Sequence, residues 1–426
     1  MNNVNDIKES HLCYGCGTCS VICARQAITM EYDNIGRLLP VIDDEKCTDC
    51  GLCRNNCPGL DSKGIQMPDA GDKYVGHVEN VYIGKATDTE IYRNSQSGGL
   101  VTATLKFLFE TGRIDAAVMC RVDDAVEYTP KAVVVTSADE LTRCQKSSYV
   151  PVDIVSALKQ AEQYQAIAVV GTGCHIQGTK ALQNFSRKYK DKIKYKLGLI
   201  CDRTLCKTIT DVLYGHHYSS QLKRIVWRDK SKDYKTARLV IKTSEGEEKE
   251  LPRWKRFVLK DPFTNPRCRI CFDKLNTQSD IVFGDPWGMS DVDWKNGMSV
   301  VITRTKPGAE IIHGLIQDGK ANLTEAPLSE VITGQHIEKR KKDVSSALSY
   351  YQWKGWLLPN YAEELDVVRE NTAINRLIDA FLHDAAMSKG NIIRKNQKFL
   401  LKTQLKSTIK KIMKQSVKIA SKIVKR

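Results

Sequence analysis

Eight cysteines within the first 57 residues repeat one spacing twice. Cys13, Cys16, Cys19 and Cys23 form C-x2-C-x2-C-x3-C, and Cys47, Cys50, Cys53 and Cys57 repeat it with Pro58 directly behind. Thiolates at this spacing are ligands of [4Fe–4S] clusters, which carry electrons one at a time. The first three thiolates of each motif wrap one face of a cubane, and the fourth ligand comes from the other motif. The expected sets are therefore Cys13, Cys16, Cys19 and Cys57, and Cys47, Cys50, Cys53 and Cys23. Gly15, Gly17 and Gly51 permit tight turns that aim backbone N–H groups at sulfur. Ala24 stands where a proline usually follows the first motif. Structural zinc is the competing use, but zinc sites usually set two cysteine pairs on a longer arm.

Seven further cysteines remain: Cys120, Cys144, Cys174, Cys201, Cys206, Cys268 and Cys271. Cys268-Arg-Ile-Cys271 is a C-x2-C pair in a proline-flanked loop. Cys174 and Cys201 each follow an apolar stretch that reads as a strand. Strand ends in α/β sheets meet at one edge, where binding sites form. The spacing thus allows Cys174 and Cys201 to join the loop pair in a third four-thiolate site, or all to be core residues.

The elements that must position these groups follow from patterning. Residues 1–72 read as an α+β ferredoxin-like module with two [4Fe–4S] clusters, its halves an internal repeat, and residues 60–75 as a linker. Residues 73–345 alternate apolar strands with helical patterns, which predicts an α/β domain. Expected strands are Ala116–Met119, Ala132–Val135, Ala166–Val170, Leu197–Ile200, Asp280–Phe283 and Ser299–Ile302. Expected helices include Leu100–Glu110 and Ile154–Gln163, and residues 236–251 read as a hairpin turning at Ser244-Glu245-Gly246. Residues 346–388 read as a helical extension whose aromatics, Tyr350, Tyr351, Trp353 and Trp356, suit packing better than base stacking.

Six further segments carry a resemblance. In order they are Ser95-Gln-Ser-Gly-Gly-Leu-Val-Thr-Ala103, Lys146-Ser-Ser-Tyr149, Gly171-Thr-Gly-Cys174, Leu199-Ile-Cys201-Asp202, Cys268-Arg-Ile-Cys271 and Gly284-Asp-Pro-Trp-Gly288. Through them the chain resembles the beta subunits of coenzyme F420 hydrogenases and dehydrogenases, in which these motifs stand in the same order. The resemblance implies a bound FAD and a third [4Fe–4S] cluster on Cys174, Cys201, Cys268 and Cys271. Cys206 is the reserve ligand, and Cys120 and Cys144 are expected in the core. Gly173, Pro286 and Asp202-Arg203 depart from the usual family residues, all around the expected active site.

The expected flavin-binding residues are Ser95, Ser97, Gly98, Gly99, Lys146, Ser147 and Ser148. Ser97-Gly98-Gly99 precedes an apolar helix, where glycines let helix-start N–H groups approach a diphosphate. Ser95 and Ser97 add hydroxyls and Lys146 adds charge; an ordinary helix cap is the alternative. His175 reads as structural rather than as a proton donor. No residue stands out as a general acid or base.

The expected function is an iron–sulfur flavoprotein oxidoreductase. It passes electrons between a hydride carrier, coenzyme F420 or NAD(P)H, and ferredoxin-type clusters or a redox partner protein. The alternatives are a non-catalytic electron-relay component of a larger redox complex and a ferredoxin-dependent reductase of an organic substrate, including one in surface-polysaccharide synthesis.

The formal net charge is +15, but residues 387–426 hold thirteen Lys or Arg and no Asp or Glu, leaving about +2 elsewhere. Basicity confined to a tail does not suit a nucleic-acid enzyme. Residues 389–426 read as a basic amphipathic helix: Leu401, Leu405, Ile409, Met413 and Val417 recur beside Lys402, Lys406, Lys410, Lys414, Lys418 and Lys422. Such a helix suits an anionic membrane surface, an acidic protein partner or a solvated, disordered tail being the alternatives. Fifteen cysteines with no visible signal peptide and no membrane-length apolar run predict a cytoplasmic protein, peripheral on the inner face of the membrane where the tail docks.

Overall fold

The computed structural model describes residues 2–60, 72–122, 129–214, 222–235, 237–251, 259–363, 365 and 373–388. The expected linker, over its positions 61–71, and the basic tail 389–426 lie outside the described residues.

The N-terminal module holds three short helices, α1 (Asn5–Glu9), α2 (Thr18–Ile22) and α3 (Leu52–Asn55), and a hairpin of β1 (Ile28–Tyr32) and β2 (Leu38–Ile42). Its repeat is visible in the backbone. Gly17 (φ 89°) starts α2 and Gly51 (φ 78°) starts α3, each in the left-handed region open to glycine.

The body is built on an eight-stranded mixed sheet. Its strands in sequence are β3 (Asn80–Ala86), β4 (Ala116–Arg121), β5 (Lys131–Val135), β6 (Ile167–Thr172) and β7 (Ile193–Leu199). A separate three-stranded antiparallel sheet holds β8 (Leu222–Asp229), β9 (Arg238–Thr243) and β10 (Glu248–Leu251). The large sheet is completed by β11 (Ile281–Gly284), β12 (Ser299–Thr303) and β13 (Ala321–Glu325), in the order β13-β3-β12-β11-β7-β6-β4-β5. The central run β11-β7-β6-β4 is parallel. β12 is antiparallel to both β11 and β3, so β3 runs with the parallel set.

All six expected strands are present, β7 starting earlier, at Ile193. The expected hairpin is β9–β10, with Gly246 at φ 85° in its turn. The expected helix Ile154–Gln163 is instead a 3-10 turn, Ile154–Lys159.

Apolar side chains of β11 and β12 are fully buried between layers. On one face lie α5 (Leu100–Glu110, preceded by α4, Thr89–Asn94) and the helix Lys306–Gln317; on the other lie the 3-10 turn and α6 (Gly173–Phe185). The module is not a bead on a string. Val4, Ile7 and Leu12 share one core with Phe272, Tyr350, Tyr351 and Tyr361, so the helix Ile337–Trp353 clamps module to body. Of the C-terminal aromatics, Tyr350 and Tyr351 are buried and Trp356 packs against them, but Trp353 is 58% exposed.

Candidate functional site

In the module, each repeat places its third cysteine inside a short helix and its fourth just after it: Cys19 and Cys23 at α2, Cys53 and Cys57 at α3. Backbone N–H groups point at sulfur: Gly15 at Cys13 (3.4 Å) and Ala27 at Cys23 (3.3 Å). Cys57 receives Gly59 and Leu60, and Cys53 receives Val4 and Arg54. Donors of this kind stabilise cysteinate in a cluster.

The thiols group across the repeat. Cys13, Cys16, Cys19 and Cys57 line one small cavity together with Ile7, Tyr14, Met30 and Pro40. Cys53 faces Cys23 and Cys50. Burial pushes the Cys13 thiol up to about 12 and Cys57 higher still, so neither ionises unless a bound metal takes the proton's place. Among the described residues no three His, Cys, Asp or Glu converge tightly enough to grip a single metal ion. Four thiols lining one cavity form a ligand shell of the kind a [4Fe–4S] cluster takes.

A second set assembles at the carboxyl ends of the parallel strands. Thr172 ends β6 and caps α6; its N–H meets His175 Nδ1 (3.2 Å), while His175 Nε2–H reaches Val152 O (2.7 Å). Burial holds His175 neutral, its pKa lowered to about 4, so it is a structural cap that aims Cys174. Cys201 follows β7 and donates its N–H to Lys274 O (3.0 Å). Cys268 sits on the single turn Pro266–Arg269, capped by Asn265, and receives Thr204 N–H at 3.4 Å. Cys174 lies within electrostatic reach of Cys201 and Cys268, and Cys201 of Cys268 and Cys271.

Around this set, Arg340 donates to Cys271 O and Cys268 O, both at 2.9 Å. Arg203, Lys260 and Lys274 hold the Asp202 carboxyl far below the usual carboxylate range against its burial. Cys206 is fully buried in an apolar cluster with Leu205, Ile209 and Phe263. Cys144 lies in one core cluster, and Cys120 is half-buried against two others.

The two thiol sets are neighbours. Gly178 is one turn beyond Cys174, and a Cβ there would stand 2.2 Å from Thr18 Oγ1 and 3.3 Å from Cys16 Sγ. Val155 N–H donates to Cys16 O at 3.0 Å, and Ser20 and Ser156 share a hydroxyl contact at 3.0 Å.

The expected flavin loop lies at the same sheet edge. Gly99 (φ 80°) starts α5, and no side chain caps it, the state in which a helix start can receive an anion. Gly98 packs so closely on Gly84 O and Ser299 that a Cβ would come within 2.8 Å. The serines, however, bond inward. Ser95 Oγ reaches Tyr92 O and Ser97 O, both at 2.8 Å, and Ser97 Oγ contacts Ser299 Oγ at 2.9 Å. They brace the loop. Ser147 and Ser148 follow Lys146 in irregular backbone, and Ser148 Oγ donates to Val150 O (3.1 Å).

The charge comes from more lysines than the sequence motifs indicate. Lys230 Nζ donates to Ser95 Oγ (3.1 Å) and to Ser97 O. Lys230 and Lys85 both sit over the Tyr92 ring, at 4.1 and 4.9 Å. Burial, then Lys146 and Lys85, lower the Lys230 pKa to about 8. Beside them, Tyr234, Trp287 and Trp294 stack with ring centroids 5.6–6.1 Å apart. Arg228 lies over Trp287 at 4.9 Å and pairs with Asp285, whose other oxygen accepts from Tyr234 Oη at 2.8 Å. No motif marks Lys230, Lys85 or Arg228. Asp285 and Trp287 are signalled only as part of Gly284-Asp-Pro-Trp-Gly288. This wall reaches the second thiol set through Gln335, which donates to Asp285 O (2.8 Å) and accepts from Lys274 Nζ (2.6 Å).

Comparison with known proteins places the chain in a family. Residues 81–159 match the family covering the amino-terminal part of the coenzyme F420 hydrogenase/dehydrogenase beta subunit, and residues 164–328 match the family covering its carboxyl-terminal part. Residues 12–59 match a 4Fe-4S dicluster domain. A coenzyme F420-dependent sulfite reductase of Methanocaldococcus jannaschii is 28% identical over 82% of this chain, which spans 53% of that protein's length. A component of the F(420)H(2) dehydrogenase of Methanosarcina mazei is 24% identical over 80% of this chain and 92% of its own. A chain of the F420-reducing [NiFe] hydrogenase complex from Methanosarcina barkeri shares the fold, with a TM-score of 0.55 and 22% identity over 68% of this chain and 99% of that one. The chain belongs to the family of coenzyme F420 hydrogenase/dehydrogenase beta subunits, with an N-terminal dicluster [4Fe–4S] domain.

Proposed function

We propose that this iron–sulfur oxidoreductase accepts a hydride's electrons at the lysine-rich loop and delivers them singly to the module, or runs the same path in reverse. The observation that carries the reading is the order of groups along one sheet edge. From β3 to β6 come the Gly98-Gly99 loop beside Gly84 and Ser299, Asp285 after β11, Cys201 after β7 and Cys174 after β6; Cys16 then lies across Gly178. The carboxyl edge of parallel strands is where α/β folds bind ligands.

In this reading Lys230, Lys146 and Lys85 neutralise the diphosphate of FAD, assisted by the open start of α5. Trp287 and Trp294 supply flat apolar surface, backed by the fully buried Tyr234. Cys174, Cys201, Cys268 and Cys271 hold a third [4Fe–4S] cluster. The module's thiols hold two more, on the interleaved sets given above. A flavin, when bound, converts a hydride's electron pair into single electrons.

The test is anaerobic reduction of the cofactor-loaded protein by reduced coenzyme F420, NADH and NADPH separately. Rapid bleaching of flavin and cluster absorbance by one donor is expected, and it names the carrier. Retention of iron without any flavin would instead favour the electron-relay role, a reading supported by relatives whose printed names make them parts of larger enzymes.

Among the described residues no helix is long and apolar enough to cross a membrane. The sequence of residues 389–426 supports contact with an anionic membrane surface. Binding to anionic vesicles, lost when these residues are removed and absent on neutral vesicles, is the expected result; equal pelleting after removal would sink the idea.

A further inference from the structure

Arg267 is fully buried, yet the groups acting most strongly on its charge are Tyr14, Tyr361 and Cys271, with no carboxylate among them. A buried guanidinium needs a negative neighbour. Its surroundings show which groups offer one. Its planar head lies 4.1 Å over the ring of Tyr14, the residue between Cys13 and Cys16. Its Nη2 donates to Gly59 O (3.1 Å), two residues after Cys57. Its own position is next to Cys268. Its Nη1 donates to Tyr361 Oη (2.6 Å), and that hydroxyl donates to Ile270 O (2.7 Å), next to Cys271. One side chain thus touches the loops of the module's first thiol set and of the body's set.

We propose that Arg267 is the electrostatic joint between the Cys13, Cys16, Cys19 and Cys57 centre and the Cys174, Cys201, Cys268 and Cys271 centre. Its fixed charge raises the electron affinity of both and holds Tyr14 and Tyr361 in the gap between them. The inference rests on reading the second thiol set as a cluster. The physical basis is simple. Each electron adds negative charge to a cluster, and a cation that water cannot screen stabilises the reduced form, shifting the reduction potential upward. Arginine suits the task because it stays charged when buried and its planar head both stacks and donates in two directions. Arg267 is a positioning residue: it touches the ligand loops and ligates nothing.

The experiment is an anaerobic redox titration of the full, cluster-reconstituted chain followed by electron paramagnetic resonance. Signals are assigned with Cys19→Ser, Cys53→Ser and Cys268→Ser. Arg267→Met should move the midpoints of the two flanking centres to more negative potential and leave the Cys47, Cys50, Cys53 and Cys23 centre unmoved. Arg267→Lys should restore much of the shift. Unmoved midpoints, or an equal shift in all three, would overturn the proposal. If Arg267→Met loses iron, Tyr361→Phe carries the test, since it keeps the ring but removes the partner of Nη1. A smaller shift of the same sign at the same two centres supports the joint, and no shift overturns it. Wild-type iron equal to two clusters would sink the reading of the second thiol set and the joint with it. Three clusters with unmoved midpoints would sink the joint alone.

Discussion

A residue's chemistry here is set by what burial denies it. Lys230 is held among Lys85 and Lys146, and its pKa falls to about 8 because a buried ammonium among like charges is costly. Asp293 only partly offsets this. The sign for binding follows. Below about pH 8 Lys230 is charged and attracts a diphosphate; as pH rises through 8 it loses the proton and the attraction fades. On the proposed reading of this loop, FAD affinity, measured by flavin fluorescence, should therefore fall between about pH 7 and 9. Lys230→Arg, which keeps its charge, should flatten that profile. Lys230→Met should weaken binding about tenfold or more at about pH 7, the usual worth of a charged hydrogen bond. A profile in Lys230→Met as steep as that of wild type would place the titration elsewhere.

At the scale of elements, legibility depended on whether the deciding contact is local. The cysteine spacing and the Gly98-Gly99 helix start are local features, so the sequence carries them whole. The stretch Ile154–Lys159 looks helical in pattern, but Val155 N–H is drawn to Cys16 O and Ser156 to Ser20, contacts some 140 residues away in sequence. Those contacts tighten it into a 3-10 turn. Strand β8 was invisible for another reason. Its pairing with β9 shifts register twice, between Leu222 and Arg224 and between Val226 and Asp229, which breaks the alternation that marks a strand. Arg228 at the end of β8 and Lys230 just beyond it go unmarked with that strand, as does Lys85 on β3. The start of β7 was hidden by Lys194 and Lys196, although Lys196 is tied to Asp280 at 3.1 Å. The joint at Arg267 depends on Tyr14, Gly59 and Tyr361 meeting across three distant segments, which no spacing encodes.

Across the whole molecule, the module and the body behave as one redox unit only if they stay docked. The contact that brings the two thiol sets together is the face of α6 against Cys16 and Thr18, and it exists because position 178 has no side chain. Thr18 Oγ1 cannot simply rotate clear, since it also contacts Cys16 Sγ at 3.2 Å. Gly178→Val puts branched carbon into that seam, where overpacking costs about 1–3 kcal/mol. The large shared core of Val4, Ile7 and Leu12 with Tyr350 and Tyr361 should keep the module attached at its far side. The expected outcome is thus a hinge-like opening rather than loss of fold. All clusters should still form and be reduced by excess dithionite. On the proposed path, reduction of the module's clusters by the hydride donor should slow far more than reduction of the flavin, because the gap lies between them. Stopped-flow absorbance, with the module's signal resolved by freeze-quench paramagnetic resonance, separates the two steps. Equal slowing of both would mean that the variant damages the flavin site. No slowing of either would mean that electrons enter the module by a route other than the Cys174–Cys16 seam.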